Sequence, residues 1–249
     1  MAVLLRATRI VSIASNHGRC LIWTLSSLLA MTHLSAAENQ PTAEEREGLE
    51  FAARLSSGRP EKSFTNQAIL RVRDAQGRKP PVTLQIATQV HSDSDWQVTY
   101  QVLTGGPRQT LRIRHRGADL PIYEEGDRDA AFAGSDFTGR DLALEFYHWP
   151  GQRMLHREKA EMRKGRPCRI LESTTTDPRA PYVRVRSWID LEHLQPLVAE
   201  AYDRQGNLVK EFSVGSVRKV EGNWELKDLE MDGEKAGTQT KLEFIFSSP

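Results

Sequence analysis

From Phe64 onward, apolar residues recur at every second position. Val82, Leu84, Ile86, Thr88 and Val90 alternate with Thr83, Gln85, Ala87 and Gln89, and Trp96, Val98, Tyr100 and Val102 alternate with Gln97, Thr99 and Gln101. The same period runs through Leu111 and Ile113, through Val183, Val185 and Ile189, and through Leu242, Phe244 and Phe246. Successive side chains of a strand point to opposite faces, so this pattern predicts strands with one apolar and one solvated face, which antiparallel sheets tolerate. Strands are expected near 64–74, 80–91, 95–103, 109–116, 119–124, 152–163, 167–176, 182–190, 196–203, 207–218, 223–231 and 238–247. Ten or eleven of these twelve segments carry a clear strand pattern. Between them lie turn-forming groups such as Asp74-Ala75-Gln76-Gly77, Ser92-Asp93-Ser94-Asp95, Gly105-Gly106, Asp203-Arg204-Gln205-Gly206 and Glu221-Gly222-Asn223, which suit hairpins.

Two segments depart from that period. Thr42 with Glu45 three residues later forms a capping-box pattern, and Leu49, Ala52, Ala53 and Leu55 supply an apolar stripe, so a helix is predicted over 43–56. Gly134-Ser135-Asp136-Phe137-Thr138 leads into Leu142-Ala143-Leu144-Glu145-Phe146-Tyr147-His148-Trp149, stopped by Pro150-Gly151. With Thr138 as N-cap and Asp141 at the third helical position, a second helix over 139–149 would present Leu142, Phe146 and Trp149 on one face.

About ten strands that are apolar on one side only must hide those faces, and two helices cannot cover a flat sheet. The expected solution is a strongly curved sheet wrapped around an apolar interior with the helices across its mouth, a shape that can leave a ligand cavity. Leu84, Ile86, Val98, Tyr100, Val185 and Ile189 are the expected lining residues, and Leu142, Phe146 and Trp149 the cover.

The first 37 residues have a different character. Arg6, Arg9 and Arg19 precede the apolar stretch Cys20–Leu34, no acidic residue occurs before Glu38, and Ser35-Ala36-Ala37 follows. A basic region, a short apolar core and small residues are the features of a secretory leader, so cleavage near Ala37 is expected, leaving 38–249 as one domain in the periplasm. Loss of the three leader arginines leaves 31 basic against 33 acidic residues, a formal charge of −2. That balance argues against nucleic acid, whose binding needs a basic face. Cys168 would then be the one remaining cysteine, without an intramolecular disulfide partner.

Three patches resemble a known family: Gly134-Ser135-Asp136-Phe137-Thr138 with Asp141-Leu142; Arg186-Ser187-Trp188-Ile189-Asp190; and Pro196-Leu197-Val198-Ala199-Glu200-Ala201-Tyr202-Asp203 with Gly206 and Lys210. Their order and spacing are similar to those of the LolA-like outer-membrane lipoprotein-sorting family, with the late segment Trp224–Thr240 fitting the same pattern. The resemblance implies an open antiparallel half-barrel of about eleven strands with two covering helices. It also implies a carrier that binds lipoprotein acyl chains or a related lipid cargo as a monomer, with inner- and outer-membrane partner proteins. The alternative is a module of the same fold that senses lipid or lipoprotein and regulates a membrane partner.

Candidate chemistry is sparse, and neither an enzyme nor a cofactor or metal site is expected. His91, Asp93 and Asp95 have metal-ligand types but sit where a hairpin loop is needed, and Glu124-Glu125-Gly126-Asp127-Arg128-Asp129 reads as a solvated acidic turn rather than a calcium loop. His148 and His156 flank Pro150-Gly151 without a triad or metal motif. Cys168 alternates with Ile170, as a buried thiol would. Asp136, Asp141 and Asp190 are explained by capping and turns rather than as an acid triad.

Overall fold

The computed structural model describes residues 40–156, 158–220, 223–234 and 237–245. The expected leader at 1–37 therefore lies outside the described residues. The first element is helix α1 (Ala43–Ser56), whose capping box is formed as expected: the Thr42 hydroxyl accepts from the Glu45 N–H at 3.2 Å and the Glu45 carboxylate accepts from the Thr42 N–H at 2.7 Å.

The strands follow as β1 (Phe64–Asp74), β2 (Gly77–Arg78), β3 (Val82–Val90), β4 (Asp95–Thr104), β5 (Thr110–Arg116), β6 (Ile122–Glu125), β7 (Gly151–Leu155), β8 (Glu161–Arg163), β9 (Arg166–Thr174), β10 (Arg184–Asp190), β11 (Pro196–Tyr202), β12 (Leu208–Val220), β13 (Asn223–Gly233) and β14 (Thr238–Ile245). Twelve of them make one continuous antiparallel sheet in the order β6-β5-β4-β3-β1-β14-β13-β12-β11-β10-β9-β7, with β2 added to β1 and β8 to β9. The sheet is open, since β6 and β7 are its two ends. Pairing of β1 with β14 joins the two halves of the chain at the centre, with Leu70 opposite Leu242 and Val72 opposite Thr240.

The alternation holds where the convex face meets solvent. In β3 and β4, Leu84, Ile86, Val98 and Tyr100 are buried while their neighbours Thr83, Gln85, Gln97 and Thr99 are part-exposed. It breaks in β10 and β11, where consecutive residues from Ser187 to Asp190 and from Pro196 to Ala199 are buried. There the convex side carries a small apolar cluster of Cys168, Ile170, Trp188, Leu197 and Val198, with Glu161 of β8 accepting from the Trp188 indole N–H at 3.0 Å. Burial pushes the Cys168 thiol up from its ordinary range, as befits a packing residue.

Three expectations need correction. The single strand expected over 152–163 is two, because the chain turns at His156 (φ 48°) before β8 pairs with the neighbouring hairpin strand β9. The second helix is not continuous: α2 spans only Gly139–Ala143, Leu144 is left-handed (φ 50°), and a 3-10 turn follows over Glu145–His148. The reversal at Leu144 lets Leu142 and Phe146 both face inward without three unbroken helical turns. In α1 the buried face is Gly48, Phe51 and Ala52, whereas Leu49 is 42% exposed and Ala53 is exposed.

Gly48 explains that choice of face. A Cβ at this position would lie 2.6 Å from the backbone nitrogen of Arg153 and 2.7 Å from its Cα, so the helix backbone rests directly on β7. Leu49 in that contact would hold the helix several ångströms off. Gly48→Ala should therefore lift α1 and cost roughly 1–3 kcal/mol, the range for overpacking a close contact. Urea unfolding checks this, with Leu49→Ala as the neighbouring substitution of little expected effect.

Candidate functional site

The concave side of the sheet is covered by the segment 128–149, which crosses from β6 to β7. Its entry is fixed by a 3-10 turn at Phe132–Gly134, with the Ala133 N–H donating to Gln109 Oε1 at 2.7 Å. Phe132, Phe137, Leu142, Phe146 and Trp149 all point into one apolar cluster with the sheet, and Phe132 meets Tyr100 edge-on at 6.1 Å between centroids. The nine residues expected to line or cover the cavity are packed in this cluster: Leu84 and Ile86 from β3, Val98 and Tyr100 from β4, Val185 and Ile189 from β10, and Leu142, Phe146 and Trp149 from the covering segment. Each is less than 6% exposed.

Among the described residues, two small voids border the covered interior. One void of about 20 Å³ lies under the cover, with Phe146 and Val185 in its wall beside Ala199, Ala201, Phe212 and Met231. A second, of about 40 Å³, lies at the seam between α1 and the cover and is lined by Trp96, His115, Ala143, Tyr147, His148 and Leu194. Spaces of that size hold one to three water molecules. Ala199 and Ala201 lie in the Pro196–Asp203 patch of the resemblance and Phe212 and Met231 in expected strands, but nothing local marked these four as void-lining.

The cover is held by polar side chains rather than by a second sheet. The Thr138–Asp141 capping box is formed, and Asp141 also accepts from the Tyr182 hydroxyl and from Lys210 Nζ, both at 2.8 Å. Lys210, on β12, donates in addition to the Asp136 carbonyl at 2.7 Å, while the Asp136 carboxylate accepts from the hydroxyls of Thr238 and Thr240 on β14. Burial first, and then the Asp141 carboxylate, push the Tyr182 phenol well above its ordinary range. Farther along, Arg140 (1% side-chain exposure) meets Glu145 at 2.5 Å, Asp177 at 3.1 Å and Asp129. Glu145 accepts as well from the Tyr123 hydroxyl at 2.7 Å and from the Trp149 indole at 3.4 Å. The Arg179 backbone N–H and the Arg140 guanidinium together lower the Asp177 carboxyl to about 2.

These contacts settle several candidates. Asp136 and Asp141 converge on Lys210, whereas Asp190 pairs with Arg166 at 3.0 Å elsewhere, so the three do not form an acid cluster. Asp93 is paired with Arg59, and Asp95 with Arg114, whose guanidinium lowers its carboxyl. In the acidic turn, Glu124 and Glu125 meet Arg114 and Arg112, Asp127 accepts from the Asp129 N–H, and Asp129 meets Arg140. The motif Gly134–Thr138 with Asp141 and Lys210 is thus an anchor for the cover. Tyr182, Arg140, Glu145 and Asp177 escaped the sequence reading because their partners are up to 49 residues away.

An open sheet with an apolar concave face and a separate cover is the LolA-like half-barrel. Residues 122–245 match a family model described as an uncharacterized protein, and no curated protein matches the sequence. Among solved structures, a DUF1329 family protein from Desulfovibrio piger is similar with a TM-score of 0.62 at 17% identity, over 82% of this chain and 92% of that one. A protein described as an outer-membrane lipoprotein-sorting domain from Vibrio parahaemolyticus gives 0.63 at 18% identity, over 81% and 92%. A LolA superfamily protein from Nitrosomonas europaea gives 0.56 at 18%, over 82% and 93%. The fold of this chain is LolA-like.

Proposed function

We propose that the protein is a periplasmic carrier that takes the acyl chain of a lipoprotein, or of a related amphiphile, between the sheet and its cover. The observation that carries this reading is that the concave apolar face is closed by a polar-latched segment whose Leu142, Phe146 and Trp149 occupy the space a chain would fill. Exposing three such side chains costs roughly 5–9 kcal/mol. Burying about ten methylenes returns about 8 kcal/mol. The two are matched, so a long acyl chain can displace the plug while a short one cannot.

The test is Phe146→Ala. Removing part of the plug lowers the cost of opening, so affinity for a fluorescent long-chain fatty acid should rise about tenfold or more, with only a small fall in thermal midpoint. A midpoint drop matching roughly 3–5 kcal/mol, the range for truncating a rigid core phenylalanine, with unchanged binding would make the segment ordinary core. The small voids of about 20 and 40 Å³ favour one other reading, an interaction module of the same fold that regulates a membrane partner. Absence of fatty-acid binding by the unaltered protein would select that reading.

A further inference from the structure

The convex face carries a groove of about 320 Å³ where the β1–β2 hairpin meets β14, lined by Arg71, Arg73, Arg78, Lys79 and Lys241. Three of these cations are already matched by carboxylates. Arg71 meets Glu243 at 2.9 Å, Lys79 meets Asp74 at 3.1 Å, and Lys241 meets Asp228 at 3.0 Å and Glu230 at 3.1 Å. Arg73 and Arg78 face no carboxylate among the described residues, and both are exposed. They are also directly opposite each other in the hairpin register. Like charges placed so are destabilising, and a two-residue turn with Gly77 at φ 118° holds them there. Two facing guanidiniums without an acceptor suit a phosphate, whose oxygens accept paired N–H donors from each fork.

The position of the groove identifies the source of that phosphate. Arg73 pairs with Gln239, and the adjoining pair is Val72 with Thr240. The Thr240 hydroxyl holds Asp136, the anchor of the cover, on the opposite face of the same strands. The groove therefore lies directly behind the point where the cover is tied to the sheet. Leu103, 43% exposed, stands at the same end of the sheet on β4, beside the Thr83–Thr104 pair. Cations with an exposed leucine at the same end of the sheet fit a lipid headgroup layer better than a purely acidic protein surface, since the leucine reaches past the headgroups.

We propose that this groove docks the protein on an anionic membrane surface, seating a lipid phosphate between Arg73 and Arg78. Docking there sets the rim that anchors the cover against the bilayer, where an acyl chain would enter or leave; this last consequence rests on the carrier reading above. The inference concerns the surface on which the protein works, and it stands on charges that the apolar interior does not use.

Cosedimentation of the full chain with vesicles tests it, comparing phosphatidylcholine alone with phosphatidylcholine containing phosphatidylglycerol at low and raised salt. The unaltered protein should partition to the phosphatidylglycerol vesicles and be released by salt. Arg73→Ala/Arg78→Ala should lower that partition about thirtyfold, from about fivefold for each charge near the surface. The double variant should keep the fatty-acid affinity of the parent and keep or slightly raise its thermal midpoint, since both side chains are outside the core and their charges oppose each other. Equal binding to the two vesicle types, or undiminished binding by the double variant, overturns the proposal. An unaltered protein that binds neither vesicle overturns it too and points to an acidic protein as the partner. Phosphatidylglycerol-dependent binding without fatty-acid binding would remove the carrier reading and leave the docking surface standing.

Discussion

Arg140→Ala should lower the unfolding free energy by about 3–5 kcal/mol, the cost of leaving a buried charge without its partner. For a chain of this size that is a fall in thermal midpoint of roughly 6–20 °C. The reason lies in which partner is stranded. Asp129 and Asp177 are 37% and 22% exposed and regain water when the guanidinium is removed, but the Glu145 side chain is 4% exposed. It would keep the Tyr123 and Trp149 donors and the longer, 4.0 Å contact to the Arg128 guanidinium, none of which replaces the buried 2.5 Å ion pair. Arg140→Met together with Glu145→Gln removes both charges and should recover most of the loss, because a neutral amide can still accept from Tyr123. Urea unfolding of Arg140→Met, of Glu145→Gln and of the double variant measures the coupling. A single-variant loss below about 1 kcal/mol, or a double variant no better than Arg140→Ala, would mean that the pair does not hold the cover closed.

Mild acid should loosen the same cover from its other side. His115 is buried, stacks on Trp96 with centroids 4.0 Å apart, and lies 6.3 Å from His148 of the cover. Burial holds the His115 imidazole well below its ordinary pKa. It lowers His148 as well, against the Ala118 carbonyl, which accepts at 3.1 Å, and the more distant Glu145 carboxylate. A folded-state pKa below the unfolded one means that the unfolded chain binds more protons. The stability this contributes is full above about pH 6.5 and is lost as pH falls below it. Between pH 7.5 and 5.5 the loss is at most about 1.4 kcal/mol for each ring, the limit set by protonation of the unfolded imidazole alone. The lowered carboxyl of Asp177, at about 2, acts in a separate and more acidic window. His115→Phe keeps the stack on Trp96 and should flatten the dependence between these two pH values. Urea midpoints that do not move between pH 7.5 and 5.5 in the unaltered protein would show that neither ring gains a proton on unfolding.

Both effects act on the covering segment, one from within it and one from β5 beside it, and they show where the sequence was readable. The capping boxes at Thr42 and Thr138 are local, three residues long, and form as their spacing predicts. The period of two marked the strands because each pleat side meets one environment along its whole length. It failed as a guide in β10 and β11, where the β8–β9 hairpin folds over the convex face and buries both sides. The expected helix over 139–149 was wrong in form, since no local signal marks Leu144 as left-handed. Its inward residues were still right, because an apolar stripe must reach the core by whatever backbone path the packing allows.

What the sequence by itself determined is therefore the class of fold, most of the strand segments, which of their faces are buried and the place of the cover. Hydrophobic period and turn chemistry are properties of neighbouring residues and need no knowledge of the rest of the chain. Only the tertiary structure decided that β1 closes on β14, that Gly48 rather than Leu49 faces the sheet, and that Lys210, Tyr182 and Arg140 tie the cover down. It also decided where the small voids of about 20 and 40 Å³ lie beneath and beside the cover. Each of these depends on partners brought together from distant positions, and on the curvature of a sheet, which sets how much volume the same apolar residues must share.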